Sequence, residues 1–240
     1  MPEKQRDSGA LWGWREIARF IRTLLASRLG RRGPFFISHL VTGRCNCNCP
    51  TCLWRDNEAD ELETSVIEQL YRGAKDAGFV ANTIWGGEPL LRQDLGQLCR
   101  YSRQNGMITI VITNGLLLPD RAHEIGKEVH SIIVSLDYPE SKGHDSFRGM
   151  PGLFARAVEG IEVLKRMGSP KKIIINCLLH RGNENMMGQM ADLARSLGVS
   201  LWVCPAKEGV LRETGETNKE ALASRESEQQ VASHVPQFTP

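Results

Sequence analysis

Hydrophobic residues follow two alternating spacings through the middle of this 240-residue chain. Short, nearly continuous apolar runs rich in Ile and Val predict six parallel strands that are covered on both faces. They lie at 36–41, 81–85, 108–113, 131–136, 172–178 and 199–204. Between them, amphipathic periodicity predicts helices at 65–77, 94–105, 119–127, 153–167 and 185–197. The pattern is that of repeated β/α units.

Local sequence features predict where helices begin and end, and the order of the elements predicts a fold class. Ser65 and Glu68 form a capping-box pattern at the start of the first helix of the β/α region, and Gly78, Gly168 and Gly198 stand where helices should end. The alternation requires a parallel sheet with right-handed crossovers, either open and doubly wound or curved into a barrel. Six strands are fewer than the eight of a closed barrel, which favours a partial (β/α)6 TIM-like barrel of the α/β class. In both folds the active site lies beyond the carboxyl ends of the strands.

Two terminal segments flank this barrel, which is predicted over residues 35–206. Residues 1–34 are basic, and a helix there would carry an apolar stripe opposite its arginines. The stripe comprises Leu11, Trp14, Ile17, Ile21, Leu24 and Leu25, and Gly30, Gly33 and Pro34 end the helix. Such a helix either packs on the barrel or makes peripheral membrane contact through residues 11–29. Residues 207–240 are polar and predict a disordered tail.

Charge and hydropathy exclude several classes of protein. A formal net charge of +2 does not suit a general nucleic-acid binder. The sequence has no run of about 18 apolar residues, so it predicts no transmembrane helix. The polar start at residues 1–7 is unlike a secretory signal. We therefore expect a cytoplasmic protein.

Four of the seven cysteines fall within eight residues, directly after the first predicted strand. A tight cluster of this kind indicates metal ligation by thiolates rather than a disulfide framework. Cys45, Cys49 and Cys52 have C-x3-C-x2-C spacing, which can hold three irons of a 4Fe-4S cluster and leave one iron open. The alternatives are a zinc site or a four-cysteine cluster that includes Cys47. A zinc ribbon would need a second C-x2-C knuckle, and the sequence has none.

This motif after a first β-strand resembles that of the radical S-adenosylmethionine (radical SAM, AdoMet) enzymes. The resemblance implies that the fourth iron binds AdoMet and that the reduced cluster cleaves it to a 5′-deoxyadenosyl radical. Cys47 stands at a position that is usually apolar in the family, which implies that it is not a ligand. Thr51 stands where the family often has an aromatic residue, although Trp54 is close by.

The ends of later strands resemble further family motifs. Gly86-Gly87-Glu88-Pro89, Thr113-Asn114-Gly115, Ser135-Leu136-Asp137 and Arg148-Gly149 follow in the family's order. The resemblance implies that Gly86, Gly87 and Glu88 receive the methionyl amino group of AdoMet. It implies that Ser135 and Asp137 lie where the family binds the ribose and carboxylate, and Arg148 is a candidate to pair with a carboxylate.

The predicted function is that of a radical SAM enzyme that abstracts hydrogen from a substrate. Peptide or cofactor maturation, carbon-carbon bond formation and lipid modification all remain open, and a low-potential donor such as ferredoxin or flavodoxin is expected. The alternative is a non-catalytic iron-sulfur or zinc-binding scaffold on the same barrel. Cys99, Cys177 and Cys204 fall in predicted helix and strands, so we expect them to be buried small side chains rather than ligands of an auxiliary cluster.

Overall fold

A single parallel sheet forms the centre of the computed structural model, which describes residues 14–28, 36–52 and 60–206. The six strands are β1 (Phe36–Leu40), β2 (Ala81–Trp85), β3 (Ile108–Thr113), β4 (Ser131–Ser135), β5 (Lys172–Leu179) and β6 (Ser200–Pro205). Their order in the sheet is the order in the chain, and every neighbouring pair is parallel. A doubly wound sheet would reverse its order at a switch point. The consecutive order is that of a barrel wall, so the predicted partial barrel is confirmed.

Seven α-helices accompany the sheet in the described ranges. They are α1 (Trp14–Arg28), α2 (Thr64–Ala77), α3 (Leu95–Gln104), α4 (Leu118–Ile125), α5 (Ser141–Arg148), α6 (Leu153–Met167) and α7 (Met187–Leu197). The sequence pattern missed α5, because its residues have no apolar periodicity. Its first turn is held by the Glu140 carboxylate, which accepts a hydrogen bond from Gly143 N at 2.8 Å. Gly149, in the left-handed conformation at φ 62°, ends it.

The predicted helix stops are confirmed, but the capping box is wrong. Gly78, Gly168 and Gly198 all adopt left-handed φ values at helix C-termini. Helix α2 begins at Thr64, and its N-cap residue makes no side-chain capping bond. The Thr64 hydroxyl instead donates to Asp94 Oδ2 at 2.5 Å, so a tertiary contact fixes the start of this helix.

The apolar core lies between the sheet and its helices. The side chains that alternate toward the helices are fully buried in successive strands, as in Ile84, Val111, Ile132 and Ile175. Helix residues Ile67, Leu98, Ala122 and Leu164 meet them. Each β/α unit buries its own apolar stripe in this way, which is why the periodicity of the sequence was sufficient to place the elements.

The ends of the described structure are more open. Phe36 on β1 is 68% exposed and Trp202 on β6 is 45% exposed, at the two edges of the sheet. On α1, Ile21, Leu24 and Leu25 are exposed. Among the described residues, no helix has the length and hydropathy that crossing a bilayer requires. Residues 1–13, the helix stop at residues 30–34 and the tail at 207–240 lie outside the described residues, so the domain boundaries at 34 and 206 stay predictions.

Candidate active site

The four clustered cysteines lie in one loop at the carboxyl end of β1. This segment, residues 41–52, is called the cluster loop below. Cys45 and Cys49 are half-buried, Cys47 is buried and Cys52 is exposed. The Cys47 thiol lies within hydrogen-bonding reach of the sulfurs of both Cys45 and Cys49. The loop therefore brings three of the four sulfurs together without any disulfide.

The surroundings favour different protonation states for these thiols. Hydrogen bonding from Cys47 lowers the pKa of Cys45 to about 6, and the positive charge of Arg148 contributes. The same two influences lower the pKa of Cys49. The pKa of Cys47 is raised well above its ordinary value, because it is the hydrogen-bonding partner of both neighbours and is itself buried. A thiolate is the form that binds a metal, so Cys45 and Cys49 suit ligation better than Cys47 does.

These donors fit an iron-sulfur cluster. Thiolate sulfur is the ligand that such clusters use. Within the described ranges, no three His, Cys, Asp or Glu side chains surround a point that could hold a single metal ion. A cubane does not need such a point, because each of its thiolates binds a different iron atom. The donor set therefore matches the predicted cluster.

Gly86 and Gly87, after β2, lie directly against the backbone of the cluster loop. Gly87 N donates to Thr42 O at 2.8 Å, and Glu88 N donates to Arg44 O at 2.8 Å. A Cβ atom on Gly86 would stand 2.4 Å from Thr42 O, and one on Gly87 would stand 2.2 Å from Arg44 O. No side chain fits in either place, because the obstructing atoms belong to the backbone. The two glycines thus serve the approach of one loop to another.

Glu88 is a fully buried carboxylate that joins the ends of β2 and β3. Its Oε1 accepts from Leu90 N at 2.9 Å and from the Thr113 hydroxyl at 2.7 Å. Its Oε2 accepts from Asn114 N at 2.7 Å. Burial raises the pKa of Glu88 to about 7, although these hydrogen bonds oppose the rise. The role of Glu88 toward the methionyl amino group stays a prediction.

Asn114, to which the sequence assigned no role, contacts the cluster loop from β3. Its side-chain Nδ2 donates to Asn46 Oδ1 at 2.6 Å and to Cys47 Sγ at 3.2 Å. An Asn-Gly pair after a strand indicates a turn, and nothing in that pattern indicates a partner so distant in the sequence. The structure therefore adds Asn114 to the candidate site.

Asp137 and Arg148 form a buried ion pair beside the cluster loop. Arg148 Nε donates to Asp137 Oδ2 at 2.7 Å, and a terminal guanidinium nitrogen lies at the same distance. The other carboxylate oxygen, Oδ1, accepts from Leu178 N at 2.9 Å. Arg148 O also accepts a hydrogen bond from Asn48 N at 2.9 Å. The pair thereby ties the end of α5 both to the cluster loop and to β5.

The remaining candidates lie around the same end of the sheet. Ser135 is nearly buried at the last position of β4, in register with Asn176 of β5. Cys204 is exposed on β6, and its Sγ lies 3.3 Å from Asn176 Oδ1. Cys99 and Cys177 are buried, as predicted, whereas the burial predicted for Cys204 is wrong because β6 is the outer strand of the open sheet. Trp54 lies outside the described residues.

A small group of aromatic side chains near β4 and β5 was also not predicted from the sequence. Phe147 and His180 stack with their ring centroids 4.3 Å apart and their planes 9° from parallel. Tyr138 contacts both rings. Because the three residues come from three separate segments, no local spacing could have indicated the group.

Comparisons with known proteins agree with this arrangement. A family model described as the radical SAM superfamily matches residues 40–194. An AdoMet-dependent heme synthase of Methanosarcina barkeri is 33% identical over 170 residues, which are 69% of this chain and 48% of that protein. A PqqA peptide cyclase of Methylocella silvestris is 31% identical over 163 residues, 66% of this chain and 43% of that protein. The chain therefore spans about half the length of the curated relatives it matches.

Solved structures share the fold. Streptococcus suis SuiB bound to its precursor peptide SuiA superposes with a TM-score of 0.70 at 17% sequence identity. The match covers 98% of this chain and 54% of SuiB. Identity this low is informative about architecture alone.

Proposed function

Since this chain belongs to the radical SAM superfamily, a family of enzymes that use a 4Fe-4S cluster and AdoMet, we propose that it is a radical SAM enzyme. When bound, the reduced cluster supplies the electron that cleaves AdoMet to methionine and a 5′-deoxyadenosyl radical, which abstracts hydrogen from the substrate. The observation that carries the proposal is the cluster loop, whose backbone is hydrogen-bonded to the ends of β2 and α5 and whose Cys47 thiol accepts a hydrogen bond from Asn114 at the end of β3.

The chain's own residues would divide the work as follows. Cys45, Cys49 and Cys52 would hold three irons, and the lowering of the pKa of both Cys45 and Cys49 supports thiolate ligation. Gly86, Gly87 and Glu88 border the loop on the β2 side, where we place the amino group of AdoMet. Ser135 and Asp137 lie at the end of β4, and Arg148 contacts the loop through its carbonyl; on this side we place the ribose and carboxylate. Since Asp137 already binds Arg148 and Leu178 N, we expect it to act mainly by holding Arg148 in place.

The relatives support a substrate class. One is an AdoMet-dependent heme synthase and another is a PqqA peptide cyclase. We therefore favour peptide or cofactor maturation over lipid modification.

The test is anaerobic reconstitution of the full chain with iron and sulfide, followed by incubation with dithionite and AdoMet. We expect release of 5′-deoxyadenosine, measured by liquid chromatography and mass spectrometry. Protein treated with a chelator before the assay is the control. A fully loaded cluster that releases no 5′-deoxyadenosine would instead favour the non-catalytic scaffold. Replacing dithionite with reduced flavodoxin or ferredoxin tests the proposed class of electron donor.

We also propose a cytoplasmic protein whose helix α1 contacts an anionic membrane surface. An oxygen-sensitive cluster and cysteines that form no disulfide suit a reducing compartment. The exposed side chains of Ile21, Leu24 and Leu25 lie on one face of α1, and Arg22 lies toward its edge, as in interfacial helices. We expect the protein to sediment with phosphatidylglycerol vesicles and an Ile21→Asp, Leu25→Asp variant to remain in the supernatant. Equal sedimentation of both proteins would contradict the contact.

A further inference from the structure

Arg92, at the end of the short turn that follows Gly86 and Gly87, is a buried cation. Its side chain is 5% exposed. Its charge is paired with Asp94, whose carboxylate oxygens accept from Arg92 Nε at 2.6 Å and from Arg92 Nη2 at 3.0 Å. A buried charge is costly unless it is paired, so Asp94 allows the guanidinium to lie here. The guanidinium still has further N–H groups that do not face Asp94.

Those N–H groups bind two backbone carbonyls that lie on either side of the clustered cysteines in the sequence. Arg92 Nη1 donates to Val41 O at 2.9 Å, at the start of the cluster loop. Arg92 Nη2 donates to Leu62 O at 2.7 Å. Leu62 belongs to residues 60–63, called the return segment below, which lead into α2. Because a guanidinium is a planar fork that binds several acceptors in fixed directions, Arg92 can hold the cluster loop and the return segment together.

A second contact joins the same two segments. The Glu61 carboxylate, in the return segment, accepts from the Thr42 hydroxyl at 2.6 Å and from Arg44 Nε at 2.8 Å, both in the cluster loop. The other Glu61 oxygen, Oε2, lies 3.9 Å from Arg92 Nη1. The buried guanidinium therefore lies where the cluster loop and the return segment meet.

We propose that Arg92 is a positioning residue for the iron-sulfur cluster: by holding the cluster loop against the return segment, it orders the cysteine-bearing loop before iron binds. The inference rests on the proposed function. A loop that is ordered in advance has less conformational entropy to lose when its thiolates bind a metal. Loss of the two carbonyl contacts should therefore weaken cluster binding more than the loss of similar contacts elsewhere in the fold.

The experiment measures the rate at which an iron(II) chelator removes iron from the reconstituted full chain. Arg92→Lys keeps the charge but cannot bind both carbonyls and Asp94 at once, so we expect it to release iron about tenfold faster than the wild type. Arg156→Lys is the matched control. Arg156 likewise binds a backbone carbonyl, that of Leu116, and a carboxylate, that of Asp120, but it joins α6 to α4. This control should release iron at the wild-type rate.

Hydrogen exchange of the cluster-free proteins, measured by mass spectrometry, tests the cause of the faster release. Amide groups of the cluster loop and the return segment should exchange faster in Arg92→Lys than in the wild type. In Arg156→Lys they should exchange at wild-type rates, because a general loss of stability would not act on these two segments alone. Should Arg92→Lys fail to fold, Asp94→Asn removes the charge that fixes the guanidinium and should show the same two changes.

Either of two results in Arg92→Lys would overturn the inference: iron release at the wild-type rate, or unchanged hydrogen exchange in the cluster loop and the return segment. Equally fast iron release from Arg156→Lys would overturn it as well, since the effect would then be one of general stability. A wild-type protein that binds no cluster would refute the proposed function itself. Hydrogen exchange of the cluster-free chain would still decide whether Arg92 orders the loop.

Discussion

The Cys49→Ala variant is expected to retain no 4Fe-4S cluster and to release no 5′-deoxyadenosine, whereas Cys47→Ala is expected to retain its cluster. Cys49 is half-buried, and Cys47 and Arg148 lower its pKa, so a ligating thiolate is favoured there. The same surroundings raise the pKa of Cys47, which disfavours a thiolate there. With only two thiolates left, a second iron of the cubane would lack a protein ligand. We therefore expect that the cluster would not persist under reducing conditions.

The measurement is iron and sulfide content after anaerobic reconstitution, together with the visible absorption of the cluster. Cys45→Ala and Cys52→Ala should behave like Cys49→Ala. Loss of the cluster in Cys47→Ala as well would mean that all four sulfurs take part and that the ligands are wrongly assigned. Stoichiometric zinc in the wild-type protein as isolated, with no cluster after reconstitution, would favour the zinc alternative.

Asp137→Ala should lower the free energy of unfolding by about 3–5 kcal/mol, since removing one partner of a buried ion pair leaves the other charge uncompensated. Asp137 is fully buried, and the Arg148 side chain is 15% exposed. The substitution also takes away the acceptor of Leu178 N, a further buried donor. Asp137→Asn should cost less, because its amide oxygen can still accept from Leu178 N.

Urea unfolding of the cluster-free protein, followed by circular dichroism, measures this loss without any contribution from the metal. Asp192→Ala is the matched control, because that carboxylate pairs with Arg195 on the surface of α7. An exposed pair of this kind contributes about 1 kcal/mol or less. A loss of similar size in Asp137→Ala and Asp192→Ala would show that the buried pair does not stabilise the fold. Because Arg148 O binds Asn48 N, we expect Asp137→Ala to lower cluster loading as well.

The sequence by itself determined the six strands and the amphipathic helices between them, although not α5, and it predicted the end of the sheet at which the candidate site lies. Each strand is a short, nearly continuous apolar run and each amphipathic helix carries one apolar face, so both patterns can be recognised without knowledge of their neighbours. Gly78, Gly168 and Gly198 marked helix ends correctly, because a left-handed residue is a local requirement. The spacing of Cys45, Cys49 and Cys52 sufficed to predict a cluster, since three thiolates in one loop are also a local feature.

Only the tertiary structure decided what the site residues touch. Glu88 meets Asn114, and Asn114 meets Cys47, only because parallel strands bring the loops at their ends together. Those loops are separated by tens of residues in the sequence. The contacts between them depend on sheet register and on the size of each side chain, and neither produces a periodic pattern in the sequence. The α2 capping box failed for the same reason, because a contact between the Thr64 hydroxyl and the distant Asp94 begins the helix one residue before the Ser65 that the local pattern indicated.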